Sequence, residues 1–293
     1  MKIKTKFDKL KKIYHISDIQ IRNLKRHKEY EQVFENLYKF ISQDTEDAVI
    51  YIGGDIAHSK TDMSPELVDQ LSRLFKRLSE LCPTLLIAGN HDCNLNNRSR
   101  LDVLQPIVDN IKNENLHYLN ETGVYYVGDV GFAVLEVRDN EINLPDPKEI
   151  KSKTKALLFH GTVDKSQTDL GFNLPSAVKL KDFDGYDMVL LGDIHKMQTM
   201  QEYKAGKVTK PIVRYCGSLV QQNHGETVKG HGVSVWNVKD RTFTHKEIEN
   251  EYGYYTLDID GGLVPKVTDL PKKARLRIRV KNTTPTDLKK ALT

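Results

Sequence analysis

Five short stretches of this chain combine carboxylates and imidazoles in ways that could hold divalent metals: HISDIQ (15–20), GGDIAH (53–58), AGNHD (88–92), FHGT (159–162) and GDIH (192–195). Each is weak alone, because a lone Asp or His after a strand is commonly a turn or capping group. Their order carries the information. Asp18, Asp55, Asn90 with His91, His160 and His195 follow one another at intervals of 37, 35, 70 and 35 residues, a succession suited to one site built from successive loops. The chemistry such a set serves is phosphodiester hydrolysis. Hydroxide must reach a phosphorus guarded by negative oxygens and an alkoxide must leave. Two metals roughly 3.5 to 4 Å apart achieve this by ionising a water, clamping the phosphate and neutralising the leaving oxygen.

Loops of this kind need strands behind them. Short apolar runs at 13–16, 48–52, 84–88, 156–159 and 188–191 read as buried strands, and the polar residues all sit where those strands stop. Ligands bind at the carboxyl ends of strands in open α/β sheets, so the loops are expected to converge in one crevice. Between the strands, 30–41 and 65–81 place apolar residues at helical spacing, with Ser64 as N-cap and Pro65 as first helical residue; 101–111 is a weaker helix candidate. After residue 196 strand-like runs take over, at 212–215, 232–238, 254–259 and 274–280. The final TPTDLKKALT opens like a helix and stops after about two turns, so a C-terminal portion is expected to follow.

Composition narrows the class. At 293 residues, 39% of them hydrophobic, the chain can bury a sizeable core. It contains no long apolar run and no apolar h-region near its start, and is expected to be soluble and intracellular. Cys82, Cys93 and Cys216 show no CxxC spacing and read as reduced structural thiols. Lys and Arg exceed Asp and Glu only by 44 to 40, but six lysines fall within residues 1–12, and Arg22, Lys25, Arg26 and Lys28 follow HISDIQ. Such clusters are usually solvated faces; beside an anionic substrate they contact phosphates. His15, on the first strand, reads as a satisfied core residue.

The five stretches resemble the signature of the calcineurin-like metallophosphoesterases, D-x-H, G-D-x-x-[DH], G-N-H-[DE], H and G-H-x-H. Within that superfamily, RYCGSLVQQNHGE (214–226) and GDIAHSKTDMSPE (54–66) are similar to segments of the SbcD type, also called the meiotic recombination eleven nuclease family. The resemblance covers roughly residues 13–240. It implies an α/β fold: a layered β-sandwich flanked by helices over 1–250, then the truncated beginning of a small α+β DNA-capping domain over 251–293. It further implies that Asp18, Gln20, Asp55 and His195 hold one metal and Asp55, Asn90, His160 and Asp193 the other, with Asp55 bridging. His91 matches the residue that acts on the substrate as general acid, and His58 one that positions nucleic acid.

Two positions depart from the family pattern. Gln20 and Asp193 each stand where it has histidine. Both changes put oxygen in place of nitrogen, which hardens the set toward manganese or magnesium and away from zinc. The implied function is a manganese-dependent DNA exo- or endonuclease, the partner of an SMC-like ATPase of the SbcC type. It would act on double-stranded ends and single strands, as a homodimer through 101–111, without a membrane. Divergent versions of this kind are carried by small genomes such as those of large viruses. The alternatives from the same residues are a stand-alone phosphatase or cyclic-nucleotide phosphodiesterase, and a non-catalytic DNA-end-binding scaffold.

Overall fold

A computed structural model describes residues 1–139 and 143–292. The first half of the chain runs β1 (Lys12–Ile16), α1 (His27–Ile41), β2 (Ala48–Gly53), α2 (Pro65–Leu81), β3 (Thr84–Ile87), α3 (Gln105–Ile111), β4 (Leu116–Tyr118), β5 (Gly123–Val127) and β6 (Val130–Leu135). The second half runs β7 (Thr154–His160), β8 (Ser166–Gln167), β9 (Asn173–Leu174), a 3-10 turn (Leu180–Phe183), β10 (Met188–Gly192), β11 (Gln198–Gln201) and β12 (Ile212–Tyr215). It ends with β13 (Gly232–Asn237), β14 (Thr242–Glu247), β15 (Tyr252–Asp260), β16 (Lys273–Lys281) and α4 (Pro285–Leu292).

Two six-stranded sheets pack face to face, ordered β14-β13-β1-β2-β3-β4 and β11-β12-β10-β7-β6-β5. β1 to β4 are mutually parallel, as are β6, β7, β10 and β12. Strands buried on both faces need near-continuous apolar sequence, which is what AVIYIG in β2 and MVLLG in β10 supply. Alternate residues serve two cores. Ile13, Val49, Tyr51 and Leu85 meet Phe132, Leu158, Met188 and Leu190 between the sheets, while Tyr14, Ile16, Ile50 and Ile52 face α1 and α2.

Among the described residues, helices cover the first sheet and not the second. The outer face of the second is closed by the 3-10 turn and irregular chain, through Ile150, Val163, Val178, Phe183 and Tyr186. α2 starts as its sequence requires, with Ser64 Oγ accepting from Leu67 N at 3.3 Å and Pro65 behind it. α1 starts a turn earlier than the apolar spacing alone indicates, because Arg26 and the fully buried Glu29 pair there. The 101–111 segment is helical only over α3. Leu104 and Ile107 are buried in the core while Leu101 is exposed, so the apolar stripe read as a dimer surface is mostly core.

His15 is buried between the sheets against Tyr51 and Trp236, but it is not satisfied: neither ring nitrogen has a hydrogen-bond partner. The three cysteines are free and buried. Beyond residue 250, β15 and β16 form a separate parallel pair, in register from Tyr252 with Lys273 to Asp260 with Lys281, docked on α1 where Arg275 Nη2 meets Glu29 Oε2 at 2.6 Å. Among the described residues no helix is long and apolar enough to cross a membrane.

Candidate metal centre

The carboxyl ends of both sheets meet at one point. A Cβ on Gly192, at the end of β10, would lie 2.1 Å from Gly53 O, at the end of β2, so only glycine permits this approach. The loops leaving these ends are tightly turned. Asp18 (φ 52°), Gln20 (φ 47°), Asp55 (φ 51°) and Asp193 (φ 102°) all occupy the left-handed region without being glycine. Each such residue costs about 1 to 3 kcal/mol, and such strain clusters at functional sites. Backbone bonds from Asp18 N to Gly54 O (3.1 Å), Gln20 N to Asp55 O (2.9 Å) and Ile21 N to Ile56 O (2.9 Å) hold the first two loops side by side. The buried Asp92 carboxylate binds the third to them by accepting from Ile56 N, Ala57 N and Gly89 N at 2.8 to 3.0 Å.

Asp55 lies at the middle of two groups of donor atoms. Its Oδ1 is 3.4 Å from His160 Nε2, and the same nitrogen is 3.1 Å from Asn90 Oδ1 and 3.9 Å from Asp193 Oδ1. Its Oδ2 is 3.4 Å from Gln20 Nε2, which is 3.1 Å from His195 Nε2. Asp18 supports the floor, its two oxygens accepting from Asp193 N at 3.1 and 3.2 Å. Ligand atoms of Asp18, Asp55 and His160 all lie within 4.8 Å of one another. The structure therefore brings Asp18, Gln20, Asp55, Asn90, His160, Asp193 and His195 together.

The electrostatics fit a cation. Asp18 and Asp55 are buried, and among the described residues no lysine or arginine pairs with either of them or with Asp193; their ionic contacts are to histidines. Burial pushes the Asp18 carboxyl up to about 6 against the pull of His160 and His195, with Asp55 adding to the rise. Burial alone would lower the imidazoles, yet Asp55, Asp18 and Asp193 hold His160 up at about 9, and the hydrogen bond between His195 and Glu226, helped by the charge of Asp18, holds His195 up at about 9. Protons here occupy a place that divalent metals, as larger local charges, would take. Carboxylate, amide and imidazole donors in this mixture suit manganese or magnesium better than a thiolate-preferring ion.

Gln20 departs from expectation in orientation. Its Oε1 lies 3.0 Å from His58 Nδ1, so the amide nitrogen, which is no ligand, faces Asp55 and His195. Burial, Arg22 and His91 lower His58 to about 4, leaving it neutral and free to take either tautomer. A half-turn of the amide with a tautomer change at His58 presents Oε1 to the centre and keeps the hydrogen bond. His91 stacks on His58 at 5.6 Å. Its Nδ1 lies 2.7 Å from His58 O, where an N–H donates, and its Nε2 points inward, 3.9 Å from Asp55 Oδ2.

Three supporting residues were not singled out by sequence reasoning. Glu226 Oε1 is 2.8 Å from His195 Nδ1, Asp92 ties the loops, and Thr162 Oγ1 donates to Asp193 Oδ2 at 2.6 Å. Asp92, Thr162 and Glu226 lie inside the AGNHD, FHGT and NHGE stretches, but nothing in their spacing separates a ligand from its support. The N-terminal lysines lie away from the centre. Lys11 and Lys12 precede or open β1, at its opposite end, and pair with Glu46, Asp47 and Asp44. Arg26 is consumed by Glu29 and by Gln221 O, 2.6 Å away. Of that second cluster, Arg22 is close enough to His58 to depress it.

A family model, Calcineurin-like phosphoesterase, matches residues 11–197. "Uncharacterized protein R555" of Acanthamoeba polyphaga mimivirus is 42% identical over 287 residues, a match covering 94% of this chain and 21% of that protein. The chain thus spans about a fifth of the length of the curated relative it matches. Among solved structures, the Pseudomonas putida nuclease MPE aligns over 78% of this chain and 85% of its own, at 12% identity and a TM-score of 0.33. The family match takes in every donor around Asp55, from Asp18 to His195, and the chain belongs to the calcineurin-like phosphoesterases, a family of metal-dependent phosphoester hydrolases.

Proposed function

We propose that this chain is a manganese-dependent DNA nuclease, able also to use magnesium, that cleaves phosphodiesters by two-metal catalysis and serves an SMC-like ATPase of the SbcC type in processing DNA ends for repair or recombination. The observation that carries the reading is the placement of Asp55, whose two oxygens face different donor groups: Gln20 and His195 on one side, Asn90, His160 and Asp193 on the other. A carboxylate so placed is suited to bridging two ions. When bound, the pair supplies an ionised water and a clamp on the phosphate.

The protein's own contribution is orientation and proton delivery. His91, fixed through Nδ1 on the His58 carbonyl, keeps Nε2 toward the centre, where as general acid it would protonate the departing 3′ oxygen. His58 holds both the Gln20 amide and the His91 ring. DNA as substrate draws support from charge. On β16, Lys273, Arg275, Arg277, Arg279 and Lys281 share one face by strand alternation. Glu251 and Glu29 neutralise the first two, Arg279 Nε lies 3.9 Å from Asp258 Oδ1, and Arg277 and Lys281 continue the row. Opposite Arg277 stands Thr256, 3.4 Å from His224, which is two residues from Glu226. A row of cations that passes His224 suits a phosphate backbone. A homodimer belongs to the same reading, on a surface other than the Leu104 and Ile107 stripe.

The test offers purified protein and manganese three substrates: linear DNA, a phosphomonoester and a cyclic nucleotide. DNA degradation, with little turnover of the others, is expected. Preference for either small ester replaces the nuclease with a phosphatase or phosphodiesterase, and DNA binding without hydrolysis under any metal makes the chain a scaffold.

A further inference from the structure

Asp193 brings two oxygens to a position where a histidine would bring one nitrogen. A free carboxylate can chelate a metal through both oxygens, which enlarges the coordination shell and favours calcium, an ion that takes six to eight oxygens and accepts bidentate carboxylates. Manganese and magnesium sites are octahedral. A carboxylate standing in for an imidazole therefore has to be kept from using both its oxygens.

Thr162 is placed to do this. Its Oγ1 donates to Asp193 Oδ2 at 2.6 Å, while Oδ1 is the oxygen near His160 Nε2. The backbone around Thr162 is held on several sides: Tyr215 Oη accepts from Val163 N and donates to Gly161 O, each at 2.8 Å, and Ser176 Oγ donates to Thr162 O at 2.7 Å. Tyr215 is fully buried. Asp193 is fixed from its own side as well, since its N–H donates to the Asp18 carboxylate. The hydroxyl thus meets a carboxylate whose backbone cannot shift to follow the metal.

We infer that Thr162 is a positioning residue that sets metal selectivity, engaging one oxygen of Asp193 so that the carboxylate donates through a single atom as a histidine would. The inference rests on the two-metal reading of the centre but not on the substrate being DNA. Removing the hydroxyl while keeping the shape releases Oδ2 toward the metal. Thr162→Val is then expected to weaken manganese binding by about 10-fold, the lower end of the effect of losing a ligand's hydrogen-bonded support, and to strengthen calcium binding relative to manganese. Thr162→Ser retains the hydroxyl and is expected to stay near the wild type.

The experiment is calorimetric titration of manganese and calcium, without nucleic acid, into wild-type protein, Thr162→Val, Thr162→Ser, Asp193→Ala and the Thr162→Val/Asp193→Ala double variant. The proposal expects the valine to act only when Asp193 is present. It is overturned if Thr162→Val leaves the calcium-to-manganese ratio at the wild-type value, if the serine variant loses as much as the valine, or if the valine has its full effect in the Asp193→Ala background. A fold lost to valine would show as an effect independent of Asp193, and so counts against the proposal. Normal selectivity changes in a protein that fails to cut DNA would sink the nuclease reading alone.

Discussion

The two sides of Asp55 solve the same chemical problem differently. On one, Gln20 is an amide held by His58, itself neutral, so amide and tautomer can turn together. On the other, Asp193 is a carboxylate pinned by Thr162 on one oxygen and by Asp18 through its backbone. Asp193 already presents an oxygen to the centre, whereas Gln20 presents its amide nitrogen until the amide turns, so one side is adjustable and the other fixed. A coordination set is thus defined by the groups that hold its ligands as much as by the ligands themselves.

The largest effect should come from Asp55→Ala, which removes the residue common to both sides. All measurable hydrolysis is expected to vanish with manganese, and retained activity would dissolve the comparison, since the two sides would then be independent. Next, His91→Asn should lower turnover by roughly 10²-fold, the scale of losing a general acid, with metal content unchanged by elemental analysis. Metal lost in step with activity would make His91 a ligand. Glu226→Ala should free the His195 ring and weaken metal binding by about 10 to 100-fold, read by calorimetry; no change would mean that His195 needs no support.

Smaller shifts separate the sides. Gln20→His and Asp193→His each restore an imidazole, and both are expected to raise zinc and cobalt affinity relative to manganese, with the change at Asp193 the larger because it also removes a charge. Hydrolysis measured across manganese, magnesium, cobalt and zinc for wild type, single and double variants checks this. An inert wild type awakened by Gln20→His alone would show a decayed side, not an adjustable one.

The last effect is on stability and concerns the core beneath the centre. Burial, with Arg214 nearby, lowers His15 to about 3. The unfolded chain therefore takes up a proton below about pH 6.5 that the folded one refuses, and stability falls from there down to about pH 3, by up to about 1.4 kcal/mol per pH unit. His15→Leu should flatten that part of the urea-unfolding profile of metal-free protein. An unaltered slope would assign the acid sensitivity elsewhere.

Legibility in the sequence followed periodicity and turn chemistry. The strands behind the centre announced themselves because they are apolar on both faces, and α2 because its cap is a Ser-Pro pair. The start of α1 did not, since it depends on a buried Arg26–Glu29 pair that no spacing rule detects. The donors were readable as motifs at strand ends, whereas Thr162 and Glu226 were not: each acts through another side chain brought near by the fold. At the N-terminus the lysine cluster reads as a solvated face, and Lys11 and Lys12 meet local carboxylates at the end of β1 opposite the centre. His15 was placed in the core correctly, but its unpartnered nitrogens depend on neighbours from other strands.

The pairing of β1 with β13 sets a timetable. Lys12 lies opposite Asn237 and His15 opposite Ser234, so the strand from which Asp18 hangs keeps one edge bare until nearly the whole sandwich has been synthesised. At translation speeds of about 5 to 20 residues per second, that interval is roughly 10 to 45 s. During it, the bare edge of β1 stands ready to pair with whatever extended chain is near, since β2 covers only its other side. Birth of this centre is accordingly a late event on the ribosome. Conditions that slow elongation before residue 237 should cost yield by aggregation well before they touch the chemistry.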